Sequence, residues 1–179
     1  MKFRKFRLIF QVSVCLFLTA CTSVKPGSVK GGSNLYETFY QGGSTQYFIK
    51  PLKFPVVLKN GNLEMDFTFR SSGKESDTAV MRFSILGNEV LKSLDSFTIQ
   101  NGLTQVKFTI VEHMFSESKG NQYLNRFSAT TNLPQVKALF AQAGWMITLY
   151  SKEKKSAFTS NRKTDKNIIR IQKKVVAVL

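Results

Sequence analysis

Apolar and polar residues take turns along much of this chain. Leu63, Met65, Phe67 and Phe69 alternate with Glu64, Asp66, Thr68 and Arg70. A period of two sends one set to each face of a strand, so this stretch predicts a half-buried strand. Met81, Phe83 and Ile85 repeat the pattern, as do Val106, Phe108 and Ile110. Thr45 to Leu52, Phe97 to Ile99, Tyr123 to Thr130 and Trp145 to Tyr150 carry the β-branched and aromatic residues that strands favour. Pro51 and Pro55 confine their neighbourhood to a strand end or an edge. Between these runs sit Asn60-Gly61, Gly87-Asn88 and Asn101-Gly102, which are turn dipeptides. Ser71 to Asp77, Ser116 to Asn121 and Lys152 to Lys155 read as polar loops or turns. Val90, Leu91 and Leu94 suit a helical turn or an irregular strand. Ala157 to Thr159 predicts a short strand, and Ile168 to Ile171, running on towards Val178, predicts the last one.

One segment follows a helical period instead. Asn132 can cap, Pro134 suits the first turn and Gly144 suits the stop. Val136, Leu139, Phe140 and Ala143 then share one face, which predicts a short helix over about 133–143. Some eight to ten short strands and one helix predict a mainly β fold, an antiparallel β-sandwich or curled sheet. The alternative is an α+β arrangement with the helix across the sheet. The β-rich domain is expected over 45–179, and no repeat of 20–50 residues interrupts it.

Residues 22–44 break every period with Pro26, Gly27, Gly31, Gly32, Gly42, Gly43 and several serines. They predict a tether, reaching roughly 25 Å as a flexible coil. Tyr36, Phe39 and Tyr40 stand out in it, and suit docking onto the domain or a short contact site for a partner. Ahead of the tether lie Lys2, Arg4, Lys5 and Arg7, and then the apolar run Leu8 to Leu18. As a helix that run spans about 16 Å, too short for a bilayer core. A charged start and a short greasy run predict a signal peptide over 1–20. Leu18-Thr19-Ala20-Cys21 at its end resembles the lipobox of bacterial lipoprotein precursors. The resemblance is confined to residues 1–21. It implies cleavage before Cys21, acylation of the Cys21 thiol and a membrane anchor in the bacterial envelope. Thr22, rather than Asp, follows the cysteine, which implies the outer membrane in a host with two membranes. Two or more acyl chains anchor stably where one is marginal.

Composition sharpens this picture in two ways. The chain has two cysteines, Cys15 in the signal peptide and Cys21 at the lipid site, so the domain has neither a disulfide nor a thiol. The formal charge is +15. Removing four basic residues with the signal peptide leaves +11 (15 − 4). Much of that sits in residues 151–174, where nine Lys and Arg face Glu153 and Asp165. Lys152, Lys154 and Lys155 are expected at a hairpin tip, and Arg162, Lys163 and Lys166 in the loop after it. Such a cluster suits lipid head groups, lipopolysaccharide phosphates or anionic glycans. A solvated surface, with lysines guarding edge strands, is the plainer reading. Nucleic acid would call for interleaved aromatics, and Phe158 is nearly alone.

The inventory for catalysis is thin. His113 is the only histidine. With no cysteine in the domain, neither a transition-metal site nor a cofactor is expected. Glu112 and His113 are neighbours, so a strand points them to opposite faces. Glu64 and Asp66 share a face at roughly 7 Å, as in any amphipathic strand. Glu75 and Asp77 are too few for a calcium loop. No nucleophile elbow, S-x-x-K pair or phosphate loop occurs. The expectation is a lipid-anchored, non-enzymatic binding or assembly component of an envelope complex, with a protein partner. The alternative is a binder of anionic lipid or glycan through residues 151–174.

Overall fold

The computed structural model describes residues 34–41, 43–57, 61–72, 77–102, 104–152 and 154–179. The expected signal peptide, Cys21 and the expected tether up to residue 33 lie outside the described residues. Among the described residues the protein is two antiparallel sheets and two α-helices around one core, with a 3-10 turn at Val176–Val178. The larger sheet has six strands: β1 (Tyr36–Gln41), β2 (Ser44–Pro55), β3 (Asn62–Ser71), β4 (Thr78–Gly87), β7 (Glu112–Lys119) and β8 (Gln122–Asn132). They lie side by side in the order β1-β2-β3-β4-β8-β7. The smaller sheet holds β5 (Ser96–Gln100), β6 (Gln105–Phe108), β9 (Met146–Ser151) and β10 (Lys154–Thr159), in the order β10-β9-β5-β6. A bridge between Val56 and Phe158 joins the two sheets along one side.

Alternation decides which side chains meet. The inward residues of β3 are the buried Leu63, Met65, Phe67 and Phe69, as the sequence pattern predicts. Across the core the smaller sheet offers Phe97, Ile99, Ile147, Leu149 and Phe158. Phe83 of β4 packs edge-on to Phe97 with centroids 4.8 Å apart, and Phe97 stacks on Phe108 at 4.5 Å. The first contact ties sheet to sheet and the second braces β5 against β6, both in geometries aromatic pairs prefer. In β2 the pairing shifts register between Ile49 and Leu52. The bulge lets both Ile49 and Leu52 face inward, beside Pro51 on the exposed side.

Helix α1 (Leu133–Phe140) begins where expected, with the Asn132 side chain accepting from the Gln135 amide at 2.8 Å and Pro134 in the first turn. Leu133, Val136, Leu139 and Phe140 are its buried face. Its last carbonyls are held by Asn101, only 1% exposed, whose Nδ2 donates to Ala138 O and Leu139 O. Trp145 follows, fully buried, against Phe54, Phe67 and Phe140. Its indole Nε1 donates to Gln142 O at 2.8 Å. Gly144 sits at a φ of 80°, a left-handed angle that suits glycine.

Expectations differ from the structure at several places, among them Val90 to Leu94, which is neither helix nor strand, and Ile110, which lies beyond β6 and is 79% exposed. The segment around Ile168 is no strand: Arg162–Lys174 is helix α2. Thr164, Ile168 and Ile171 are buried at helical spacing, and Val175 continues the row. Arg162, Lys163 and Lys166 therefore sit on a helix and not in a loop. Ser116 to Asn121 is no loop either, since β7 runs to Lys119 and pairs with β8. Backbone pairing to β8 makes this edge strand, with almost no burial to mark it in the sequence. Tyr36–Gln41, placed in the tether, is β1, registered residue by residue against Ser44–Ile49. Phe39 meets Phe48 edge-on at 5.4 Å, which docks the tether's aromatics into the sheet. A further difference is length: α1 ends at Phe140, with Ala141 as its cap. Among the described residues no helix is long and apolar enough to cross a membrane.

Candidate functional site: the basic face of the second helix

The residues of α2 divide cleanly by face. At 100° per residue, Thr164, Ile168, Ile171 and Val175 point into the core. Arg162, Lys166, Arg170 and Lys173 fall on the opposite side, flanked by Lys163 and Lys174. All six cations are exposed. No carboxylate among the described residues lies within ion-pair distance of any of them. Asp165, the one acid of the helix, accepts from the Gly144 amide at 2.9 Å and so is committed to the exit of α1. Ile169 lies among the cations and is 43% exposed.

The start of the helix is built firmly. The Asn161 Oδ1 accepts from the amides of Lys163 and Thr164, both at 3.0 Å. The Thr164 hydroxyl donates to Lys53 O at 2.5 Å, which fastens the first turn to β2. This first turn nevertheless carries Arg162 and Lys163. Cations there oppose the helix dipole, at a cost of a few tenths of a kcal/mol each. Lys173 and Lys174 at the other end agree with it. Helix stability accounts for the second pair and not for the first.

The remaining sequence candidates sit elsewhere. Lys152 and Lys154 flank the β9–β10 turn, and Lys155 faces Tyr150 across the hairpin with its Nζ 5.8 Å from the ring centroid. Lys154 is paired with Glu89 at 2.8 Å. The length of β10, roughly 17 Å, separates this tip from Arg162. The 151–174 cluster is thus two patches, and only the helical one gathers cations without carboxylates. His113 is exposed on β7, its Nε2 2.9 Å from the Ser116 hydroxyl and its ring against Phe127. Glu112 faces the other way, opposite Ser128.

A third charged group escaped the sequence. On the outer face of the larger sheet Asp66 is 16% exposed between two arginines. Arg126 Nη2 donates to it at 2.6 Å, and Arg82 stands at 4.0 Å. Arg126 also donates to Ser84 Oγ, and Arg82 to Thr68 Oγ1. Both guanidinium groups are thus occupied within the sheet, where they lace β3, β4 and β8 together. Next to them Lys53 and Glu64 pair at 2.8 Å, which raises the Lys53 pKa.

No family model, curated protein or solved structure matches this chain. Among the described residues no three His, Cys, Asp or Glu gather as metal ligands do. The arrangement that stands out is the exposed array of guanidinium and ammonium groups on α2. It can neutralise several phosphates or carboxylates at once, and Ile169 adds an exposed apolar point at its edge.

Proposed function

We propose that the chain is a lipid-anchored, non-enzymatic binding module of a bacterial envelope, and that it lies with α2 against an anionic lipid surface. The observation that carries this reading is the six-cation face of α2 without a carboxylate partner. Arg162 and Lys163 strengthen it, because they stand where the helix itself would prefer acids. Ile169 supports lipid over a soluble polyanion, since an apolar residue among cations suits the head-group boundary. Each cation near such a surface contributes about 1 kcal/mol. The lipobox-like start supports the anchor, with Cys21 as the acylated residue and the outer membrane as the site in a host with two membranes. Anchor and helix then act as two membrane contacts on one domain.

The test uses the Cys21→Ser protein, so that acylation does not mask the helix. Flotation with vesicles of anionic phospholipid should carry the protein up, and added salt should release it. Equal flotation with zwitterionic vesicles would remove the electrostatic reading.

A second reading, an assembly component with a protein partner, is favoured by β7. Among the described residues this edge strand is paired on one side only, and Met114 and Phe115 on it are 45% and 41% exposed. Free strand edges with apolar side chains invite another chain. Recovery of a stoichiometric partner from native envelopes, lost on adding charge at Phe115, would support it. A clean monomer would oppose it.

A further inference from the structure

The lining of one cleft points to a ligand that is apolar at one end and anionic at the other. The cleft opens where the end of β4 faces the β9–β10 hairpin. It has two lobes, of about 570 Å³ and 300 Å³. Glu89, Leu91, Ser151 and Lys154 line both. Pockets of this size suit small molecules. The smaller lobe has an apolar floor of Ile85, Leu94, Leu149 and Phe158, joined by Val56. The larger lobe is rimmed by Lys92, Lys152, Lys154, Ser93 and Ser151, with Glu89 as its carboxylate among the described residues.

The walls are preformed. Residues 88–95 belong to no strand, yet buried Asn125 holds them. Its Nδ2 donates to Glu89 O at 3.0 Å, and its Oδ1 accepts from the Leu91 amide at 2.8 Å. The Asp95 amide donates to Tyr150 O at 2.9 Å. Opposite, Lys154 Nζ reaches both oxygens of Glu89, at 2.8 and 3.0 Å, across the mouth.

Lys152 adds an independent observation. Its φ is 52°, and it is the one non-glycine residue with positive φ among those described. Glycine or asparagine fits that angle with less strain. Its amide donates to Asp95 Oδ2 at 2.6 Å, an interaction glycine would keep. The turn itself therefore gains nothing from a lysine side chain. Neither Lys92 nor Lys152 has an ion-pair partner among the described residues. A strained position that holds an unpaired cation at the rim of the larger lobe, beside a lobe with an apolar floor, has the form of a binding device.

We infer that this cleft binds a single-chain anionic amphiphile, with the chain on the Ile85–Leu94–Leu149–Phe158 floor and the anionic head at Lys152 and Lys92. The site is separate from α2 and does not rest on its reading.

The test is photolabelling of the full chain, reconstituted in phosphatidylcholine vesicles, with a diazirine-bearing palmitate. Labelled peptides should map to 85–94 and 147–158. Dodecyl phosphate should compete, while inorganic phosphate and dodecyl maltoside should not. Lys152→Gly should keep the thermal transition and weaken competition roughly tenfold, as loss of a charge-assisted contact does. Leu91→Gln, on the half-buried wall, should lower labelling with the fold intact by circular dichroism. Label outside the cleft would overturn the inference, as would equal competition by maltoside, competition by inorganic phosphate, or unchanged competition in Lys152→Gly. Loss of label in α2 charge variants would also overturn it, by assigning the label to the membrane-facing helix.

Discussion

In α1 the cap is Asn132 and in α2 it is Asn161, each in extended backbone with its side chain on the amides of the first turn. Both helices bury a row of apolar residues against the same core. Their outer faces differ. α1 shows one cation, Lys137, while α2 shows six. Since one cation suffices for a helix in this fold, the other five of α2 are not demanded by folding. α1 is a plug whose sequence is spent on packing. α2 has a packing face and a second face that the fold leaves free. That difference separates what the fold requires from what it presents.

The comparison breaks most visibly in the core. Phe140→Ala in α1 should cost about 3–5 kcal/mol, because Phe140 meets both Phe67 and Trp145. Ile168→Ala should cost about 2–5 kcal/mol in the same denaturant titration, since α2 is equally packed on its inner side. Next come the charges. Lys166→Gln, Arg170→Gln and Lys173→Gln together should leave stability within about 0.5 kcal/mol. Affinity for anionic vesicles should fall by about 3 kcal/mol, on the order of a hundredfold. The matching change in α1, Lys137→Gln, should alter neither.

Smaller effects sharpen the contrast. Asn161→Ala and Asn132→Ala should each cost about 1 kcal/mol, with Asn161 the larger because it accepts two amides. Arg162→Glu should stabilise the fold by about 0.3–1 kcal/mol while weakening vesicle binding. A residue that opposes stability and favours binding is what a presented face predicts. The smallest effect is in the alkaline range. Burial, followed by the neighbouring Tyr36, pushes the Tyr47 hydroxyl above its ordinary value of 10.0. The folded state then holds that proton longer than the unfolded chain. Its contribution is complete below pH 10 and is lost as pH rises towards the folded value. Tyr47→Phe should flatten that part of the pH–stability curve.

The sequence revealed elements wherever one face is buried and the other wet. β3 is such a case, and so is α1, where Asn132, Pro134 and Gly144 punctuate a helical row. It misled where β-branched residues fill a helix. Asn-Ile-Ile-Arg-Ile at 167–171 has strand propensity, yet Thr164, Ile168, Ile171 and Val175 recur at helical spacing after a capping Asn161. That spacing was the available signal, and tertiary packing outweighed propensity. β7 carried no signal, because Glu112–Lys119 is exposed on both faces and held by its backbone. The Asp66 cluster needs the register of β4 against β8, which brings together residues 60 positions apart. The basic run was legible as charge. Its division into a hairpin tip and a helix face depended on α2.

The most direct measurement is the salt dependence of vesicle binding for three Cys21→Ser proteins. One is otherwise unchanged, one carries Lys166→Gln, Arg170→Gln and Lys173→Gln, and one carries Lys152→Gln, Lys154→Gln and Lys155→Gln. Binding should fall steeply with salt in the first and third, and respond weakly in the helix variant. If the helix variant binds anionic vesicles as tightly and as steeply as the unchanged protein, α2 is not the membrane-facing surface and the account is wrong.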